Sequence, residues 1–234
     1  SVEPSVAPSN SPSAAPTFGS GGSVNPPYFP SAEPEPSASP SVTPEPSGSP
    51  RPVAYDFKDI DEHWAKKEII ALANEGIVKG VTTSEFAPEQ SVTRAEFAAL
   101  IARALKLDAA DLVNDFSDVQ SGDWYAADVA AIKQSGIMIG DESGNFRPND
   151  EITREEMAKV LVNAYQIKTG ETITGAGDAS GFNDSGSISG WAKEYVDAAV
   201  SLNLLSGYED NTIRPQDITT RAQAAMVIYR LLYL

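Results

Sequence analysis

Trp64, Trp124 and Trp191 are origins from which the same residues recur at the same distances. Sixteen residues on stand Gly80, Gly140 and Gly207; 22 on, Phe86, Phe146 and Ile213; 24 on, Pro88, Pro148 and Pro215. At 29 and 30 on, Thr93-Arg94, Thr153-Arg154 and Thr220-Arg221 open the stretches TRAE, TREE and TRAQ, with no insertion or deletion. Just upstream of each tryptophan lies FKD, FSD or FND, beginning at Phe57, Phe116 and Phe182. The spacing alone establishes three tandem copies of about 60 residues. A unit that short cannot cover its own apolar faces, so the copies must share a core.

Within each copy the pattern reads helix, turn, helix. After each tryptophan, apolar residues recur at i, i+4 and i+7 (Ala65, Ile69, Leu72; Tyr125, Val129, Ile132; Ala192, Val196, Ala199), which makes one helical face. Gly76, Gly136 and Asn203 follow as left-handed helix stops. A turn punctuated by Gly and Pro comes next, GDESGNFRPND in the second copy. The second helix opens on a capping box: Thr93 with Glu96, Thr153 with Glu156, Thr220 with Gln223. Four, seven, eight and eleven residues after each Thr, every position is apolar. These are Phe97, Leu100, Ile101 and Ala104; Met157, Val160, Leu161 and Ala164; and Ala224, Val227, Ile228 and Leu231. The fold class is therefore mainly α, three helix-turn-helix repeats.

The rest of the chain is different in kind. Of 17 prolines, 14 fall in residues 1–52, where no Lys or Arg appears before Arg51. Such a stretch lacks the apolar residues that offset chain entropy and reads as a disordered Pro/Ser/Thr-rich linker. The repeats are then assigned to 53–113, 114–167 and 168–234, the third reached through a longer approach, KTGETITGAGDASG at 168–181. The sequence has no run of about 18 apolar residues that would span a membrane, and no basic-then-apolar leader. Its first residue, Ser1, is what a processed or excised fragment would show, with a cargo domain lying outside this chain.

Charge and residue types narrow the function. A net charge of −16 argues against nucleic acid or an anionic lipid surface, which bind by neutralising phosphate. There is no cysteine, hence no thiolate metal site, disulfide or Cys nucleophile. The single histidine, His63, is matched in the other copies by Asp123 and Gly190, so no repeated acid–base constellation exists. The DESGNF stretch fails the EF-hand pattern, because Phe146 and Ile152 stand where Gly and Glu are required. The expectation is no catalytic residue, no metal and no cofactor.

One residue resists a purely structural reading. Arg94, Arg154 and Arg221 place a cation in the first turn of a helix, at the positive end of its dipole, where it is mildly unfavourable. A helix N-terminus with unpaired N–H groups is also an anion site, and an arginine beside it adds a planar donor fork that grips a carboxylate. The competing reading pairs each arginine with an acidic neighbour, Asp59, Asp118 or Asp184 in the FxD segments; both hold if the aspartate orients the arginine. Removing Arg94 or Arg154 is expected to leave stability nearly unchanged or raise it slightly, because a cation leaves the positive end of a dipole, whereas structural pairing with an aspartate predicts lost stability.

The FxD…W…G…F.P…TRAE layout, in three copies behind a Pro/Ser/Thr-rich linker, resembles the S-layer homology domains of bacterial surface proteins. The resemblance covers residues 57–234. It implies a pseudo-threefold arrangement around a central helical bundle with grooves between repeats. It also implies non-covalent anchoring of a secreted protein to secondary cell-wall polysaccharide, often through a pyruvate ketal on an amino sugar, with the motif arginines contacting the ligand. The tryptophans are then either core anchors or platforms for a sugar ring. Gly80, Gly140 and Gly207 are either turn residues with positive φ or points where a sugar nears the backbone. The third repeat departs from the pattern at Asn203, Ile213 and Gln223, which puts binding in its groove in question. The alternative from another class is a helical-repeat module for protein partners, which requires exposed apolar grooves instead of a cation at each interface.

Overall fold

A computed structural model describes residues 55–109, 115–173 and 179–233. The linker expectation for residues 1–52 lies outside the described residues, as do positions 174–178 of the third repeat's approach. All three capping boxes form. Thr93 Oγ1 accepts from the Glu96 N–H at 3.2 Å, and Glu96 Oε2 accepts from the Thr93 N–H at 2.9 Å. Thr153 and Glu156 repeat this at 3.3 and 3.0 Å, Thr220 and Gln223 at 3.3 and 3.5 Å. These boxes start the second helices of the repeats: α2 (Arg94–Ala104), α4 (Arg154–Thr169) and α6 (Arg221–Tyr233).

The first helices, α1 (Lys66–Asn74), α3 (Ala126–Gln134) and α5 (Lys193–Ser201), have no side-chain cap at their starts. Each ends as expected on a left-handed residue, Gly76 at φ 73°, Gly136 at φ 76° and Asn203 at φ 55°. The N–H of the next residue reaches back across the turn, Ile77 to the Leu72 carbonyl at 2.9 Å, Ile137 to Ile132 at 3.2 Å and Leu204 to Ala199 at 2.9 Å. That is the Schellman bond, and it satisfies a carbonyl the helix end would otherwise leave open.

Packing runs between repeats more than within them. The main helix pairs are α2 with α3, α4 with α5 and α6 with α1, so each second helix lies on the first helix of the following repeat and the last pair closes the ring. Helix α6 also packs on both α2 and α4. Every residue of the two predicted stripes is buried, apart from Leu100, which is half-buried. The core is built from side chains such as Phe97, Ile101, Met157, Leu161 and Ile228, together with Ile69, Leu72 and Ile132.

Just before the capping boxes, three backbone segments meet in a closed cycle. The Ile152 N–H donates to the Val92 carbonyl at 3.0 Å, Thr219 to Ile152 at 2.9 Å and Val92 to Thr219 at 3.0 Å. Each bond advances one repeat, and the third returns to the start, which is the pseudo-threefold relation expressed in backbone atoms. Val92, Ile152 and Thr219 are all buried. The Thr219 hydroxyl, standing where the other repeats have a methyl group, has no hydrogen-bond partner among the described residues.

Candidate functional site

The helix N-termini are already occupied. The N–H groups of Arg94 and Ala95 donate to the Asp150 and Pro148 carbonyls at 2.8 and 3.0 Å. Those of Arg154 and Glu155 reach Asp217 and Pro215 at 3.0 and 2.9 Å, and those of Arg221 and Ala222 reach Gln90 and Pro88 at 2.8 and 2.9 Å. The third N–H of each helix is held by the capping threonine. The expectation of an open anion site on the backbone therefore fails: the turn of the next repeat, pivoting on its proline, fills it.

The arginine side chains cross the same boundary. Nε of Arg94 donates to the Phe146 carbonyl at 3.0 Å, Nε of Arg154 to Ile213 at 2.9 Å and Nε of Arg221 to Phe86 at 2.9 Å. A second nitrogen of Arg154 donates to the Ser206 carbonyl at 3.1 Å, and one of Arg221 to the Lys79 carbonyl at 2.7 Å. Arg94 and Arg154 are buried, Arg221 half-buried, and burial pushes all three guanidinium groups down from the usual arginine range. These contacts tie repeat to repeat, so an arginine serving only a ligand is not what is observed.

None of the aspartates pairs with the arginines. Asp59 accepts from the N–H groups of Phe86 and Ala87 at 2.9 and 2.6 Å, Asp118 from Phe146 and Arg147 at 2.8 and 2.7 Å, Asp184 from Ile213 and Arg214 at 2.8 and 2.7 Å. The second residue of each pair is left-handed, with φ 58°, 59° and 51°, a conformation that costs a side-chain-bearing residue energy and that the carboxylate holds in place. The first residue of each pair is the one whose carbonyl receives the arginine from the preceding repeat. The aspartate thus orients the arginine's acceptor and sits in the following repeat.

Gly80, Gly140 and Gly207 are not at positive φ. A Cβ at Gly80 would lie 2.5 Å from the Phe57 ring, at Gly140 2.5 Å from Phe116 and at Gly207 2.2 Å from Phe182. The ring of the FxD segment takes the place a side chain would need. The tryptophans are not core anchors: Trp64, Trp124 and Trp191 are 59%, 62% and 50% exposed.

These residues converge on three grooves, and each groove draws on all three repeats. Groove A is lined by Arg94, Gly140 and Trp191; groove B by Arg154, Gly207 and Trp64; groove C by Arg221, Gly80 and Trp124. The wall beside them is a second helix, at the positions three, six, seven and ten residues after its capping threonine. These are Glu156, Lys159 and Val160 in groove A, Gln223, Met226, Val227 and Arg230 in groove B, and Glu96, Ala99, Leu100 and Arg103 in groove C. Asp59, Asp118 and Asp184 lie behind the arginines and line none of the three. From sequence, the wall residues at three and seven positions after Thr have only a cap or core role, and none of Lys159, Met226, Arg230, Ala99 and Arg103 is singled out, because such positions look like an ordinary helix surface.

The fold and its grooves define a cyclic three-repeat helical domain with one composite groove at each repeat boundary. The profile of the S-layer homology domain matches residues 56–98, 115–158 and 181–225, more than half of the chain. The chain belongs to the S-layer homology domain family. It is similar to the exoglucanase XynX of Acetivibrio thermocellus, 44% identical over 176 residues, or 75% of this chain and 16% of that protein. It is likewise similar to the surface-layer 125 kDa protein of Lysinibacillus sphaericus, 35% identical over 178 residues (75% of this chain, 14% of that one). The S-layer protein sap of Bacillus anthracis is 35% identical over 174 residues, 74% of this chain and 20% of that protein. The chain thus spans at most a fifth of these relatives, and the enzyme name belongs to a much longer protein that carries the aligned part. The module resembles S-layer anchoring domains, a non-catalytic kind, and the family match and S-layer relatives support anchoring at the bacterial cell surface. No helix among the described residues is long and apolar enough to cross a membrane.

Proposed function

We propose that the chain attaches a secreted protein non-covalently to the cell wall by holding an acidic secondary cell-wall polysaccharide in its grooves. The observation that carries this reading is the threefold recurrence of one arrangement: a buried or half-buried arginine, a bare glycine and an exposed tryptophan, brought together from three different repeats. A large aromatic face left in water next to a cation suits a sugar ring that carries a carboxylate. The ring's apolar side covers the indole, and the charge meets a guanidinium. A pyruvate ketal on an amino sugar supplies both features in one residue.

The glycine lets the phenylalanine ring of the FxD segment close against the groove's backbone, and the aspartate and Nε bonds keep the arginine from collapsing into the groove. A protein partner is the weaker reading, since every groove places a guanidinium against its apolar wall. Cosedimentation with purified sacculi tests the proposal. Binding is expected to intact sacculi and to be lost once the polysaccharide is chemically removed, whereas undiminished binding to the stripped peptidoglycan would overturn it.

A further inference from the structure

The three grooves share a plan but differ in charge around the motif arginine. In groove A the guanidinium of Arg94 is taken by Glu156 at 3.2 Å, and Arg147 reaches the same carboxylate oxygen at 3.4 Å. Arg94 makes no bond to the carbonyl of Ile139, the position at which Arg154 and Arg221 bond Ser206 and Lys79. An internal carboxylate thus stands between two arginines, where the ligand's carboxylate would have to sit.

In groove B the same helix position is Gln223. Its amide donates to the Tyr208 hydroxyl at 3.0 Å and leaves Arg154 alone. Among the described residues, neither Arg154 nor Arg230 has a carboxylate within 4 Å. Arg154 and Arg214 both lie against the Tyr208 ring, at 4.8 and 4.0 Å. Arg214 is paired with Asp210 at 2.8 Å, and Arg230 is tied to the Ser206 hydroxyl at 2.7 Å. Groove C is intermediate: it keeps a carboxylate, Glu96, at that helix position, but Arg221 makes no ion pair among the described residues. Groove B also has the largest volume of the three, about 730 Å³ against about 230 and 170 Å³ for A and C.

We propose that groove B is the principal acidic-glycan site of this chain and that groove A is held shut by Glu156 acting as a built-in substitute for the ligand's carboxylate. This rests on the functional reading above and adds to it a division of labour among the grooves. It also reverses the sequence expectation for the third repeat: Glu209 and Asp210 line groove B as well, but Gln223, read there as a departure from the pattern, removes the carboxylate that in groove A bonds the motif arginine itself. A ligand entering groove A must displace an anion already bonded to the guanidinium, whereas one entering groove B meets an arginine with donor capacity to spare. A charge-assisted bond of this kind corresponds to about tenfold to a hundredfold in affinity.

The chain contains three tryptophans, and each lines a different groove. The full chain carrying 5-fluorotryptophan therefore gives one fluorine resonance per groove, assignable through single Trp→Phe variants. Titrated with the methyl glycoside of a pyruvate-ketal N-acetylhexosamine, Trp64 is expected to respond at a concentration at least tenfold below that for Trp191. Gln223→Glu should weaken the Trp64 response by tenfold or more, and Glu156→Gln should strengthen the Trp191 response by a similar factor. Both substitutions keep a capping box, since this chain uses Thr–Glu and Thr–Gln boxes alike, and unchanged thermal midpoints would verify that. Equal affinities at Trp64 and Trp191, or indifference to both charge swaps, overturns the proposal while leaving carbohydrate binding intact. Silence at all three tryptophans, with failure to sediment with sacculi, overturns the functional reading together with it.

Discussion

Arg154 shows how one side chain can hold a fold together and face a ligand at once. Two of its nitrogens bond carbonyls of the next repeat, and the residue is 4% exposed. Arg154→Ala therefore leaves two acceptors unpaired and should destabilise the domain by about 2–4 kcal/mol, read as a drop in thermal midpoint. Arg154→Lys should recover only part of it, because an ammonium cannot reproduce the fork. An unchanged midpoint for the alanine variant would contradict the cross-repeat tie. Thr219 predicts the opposite sign: its buried hydroxyl is unpaired on the axis, so Thr219→Val should raise stability by about 1 kcal/mol. Calorimetry showing a loss instead would mean that the hydroxyl has a partner. The location of the arginines was legible from their recurrence, but their partners were not. Each bonds a residue more than 50 positions away in sequence, across a repeat boundary that spacing does not orient.

At the scale of elements, helix ends were the most legible features. The capping boxes and left-handed stops formed where Thr, Gly and Asn predicted, because the groups involved lie within a few residues of each other. The FxD segments were the least legible. Phe and Asp act there on a turn nearly 30 residues on: the aspartate fastens two N–H groups and the ring covers the glycine. That glycine reads as a turn residue in sequence, whereas its role is close approach. Gly207→Ala would put a methyl group 2.2 Å from the Phe182 ring, and overpacking of that kind costs about 1–3 kcal/mol. It should also shift the tryptophan fluorescence of groove B by moving its wall. An alanine variant as stable as the parent would show that the ring is free to move aside.

At the scale of the whole molecule, the cyclic arrangement makes every repeat indispensable. Helix α1 packs against α6, the hydrogen-bond cycle needs Thr219, and each groove takes one of its three signature residues from the third repeat. A chain ending at residue 173 should therefore lose cooperative unfolding altogether, and binding in all three grooves with it. A soluble fragment of that length with a sharp thermal transition near that of the parent would contradict a shared core. Net charge matters at the same scale. At −16 the molecule as a whole repels anions, so an acidic glycan can be held only where arginines are locally concentrated, and high salt should weaken that attraction.

The central claim is that the grooves recognise a carboxylate borne on a sugar, and removing that carboxylate alone tests it most directly. Purified wall polysaccharide is split into two portions, one left intact and one treated with mild acid to hydrolyse its pyruvate ketals without cutting the chain. The affinity of the full chain for each is then measured by calorimetry. The account predicts that binding to the treated polymer falls by at least tenfold, the minimum expected for loss of a charge-assisted bond to a guanidinium. Equal affinity for the two polymers would contradict it.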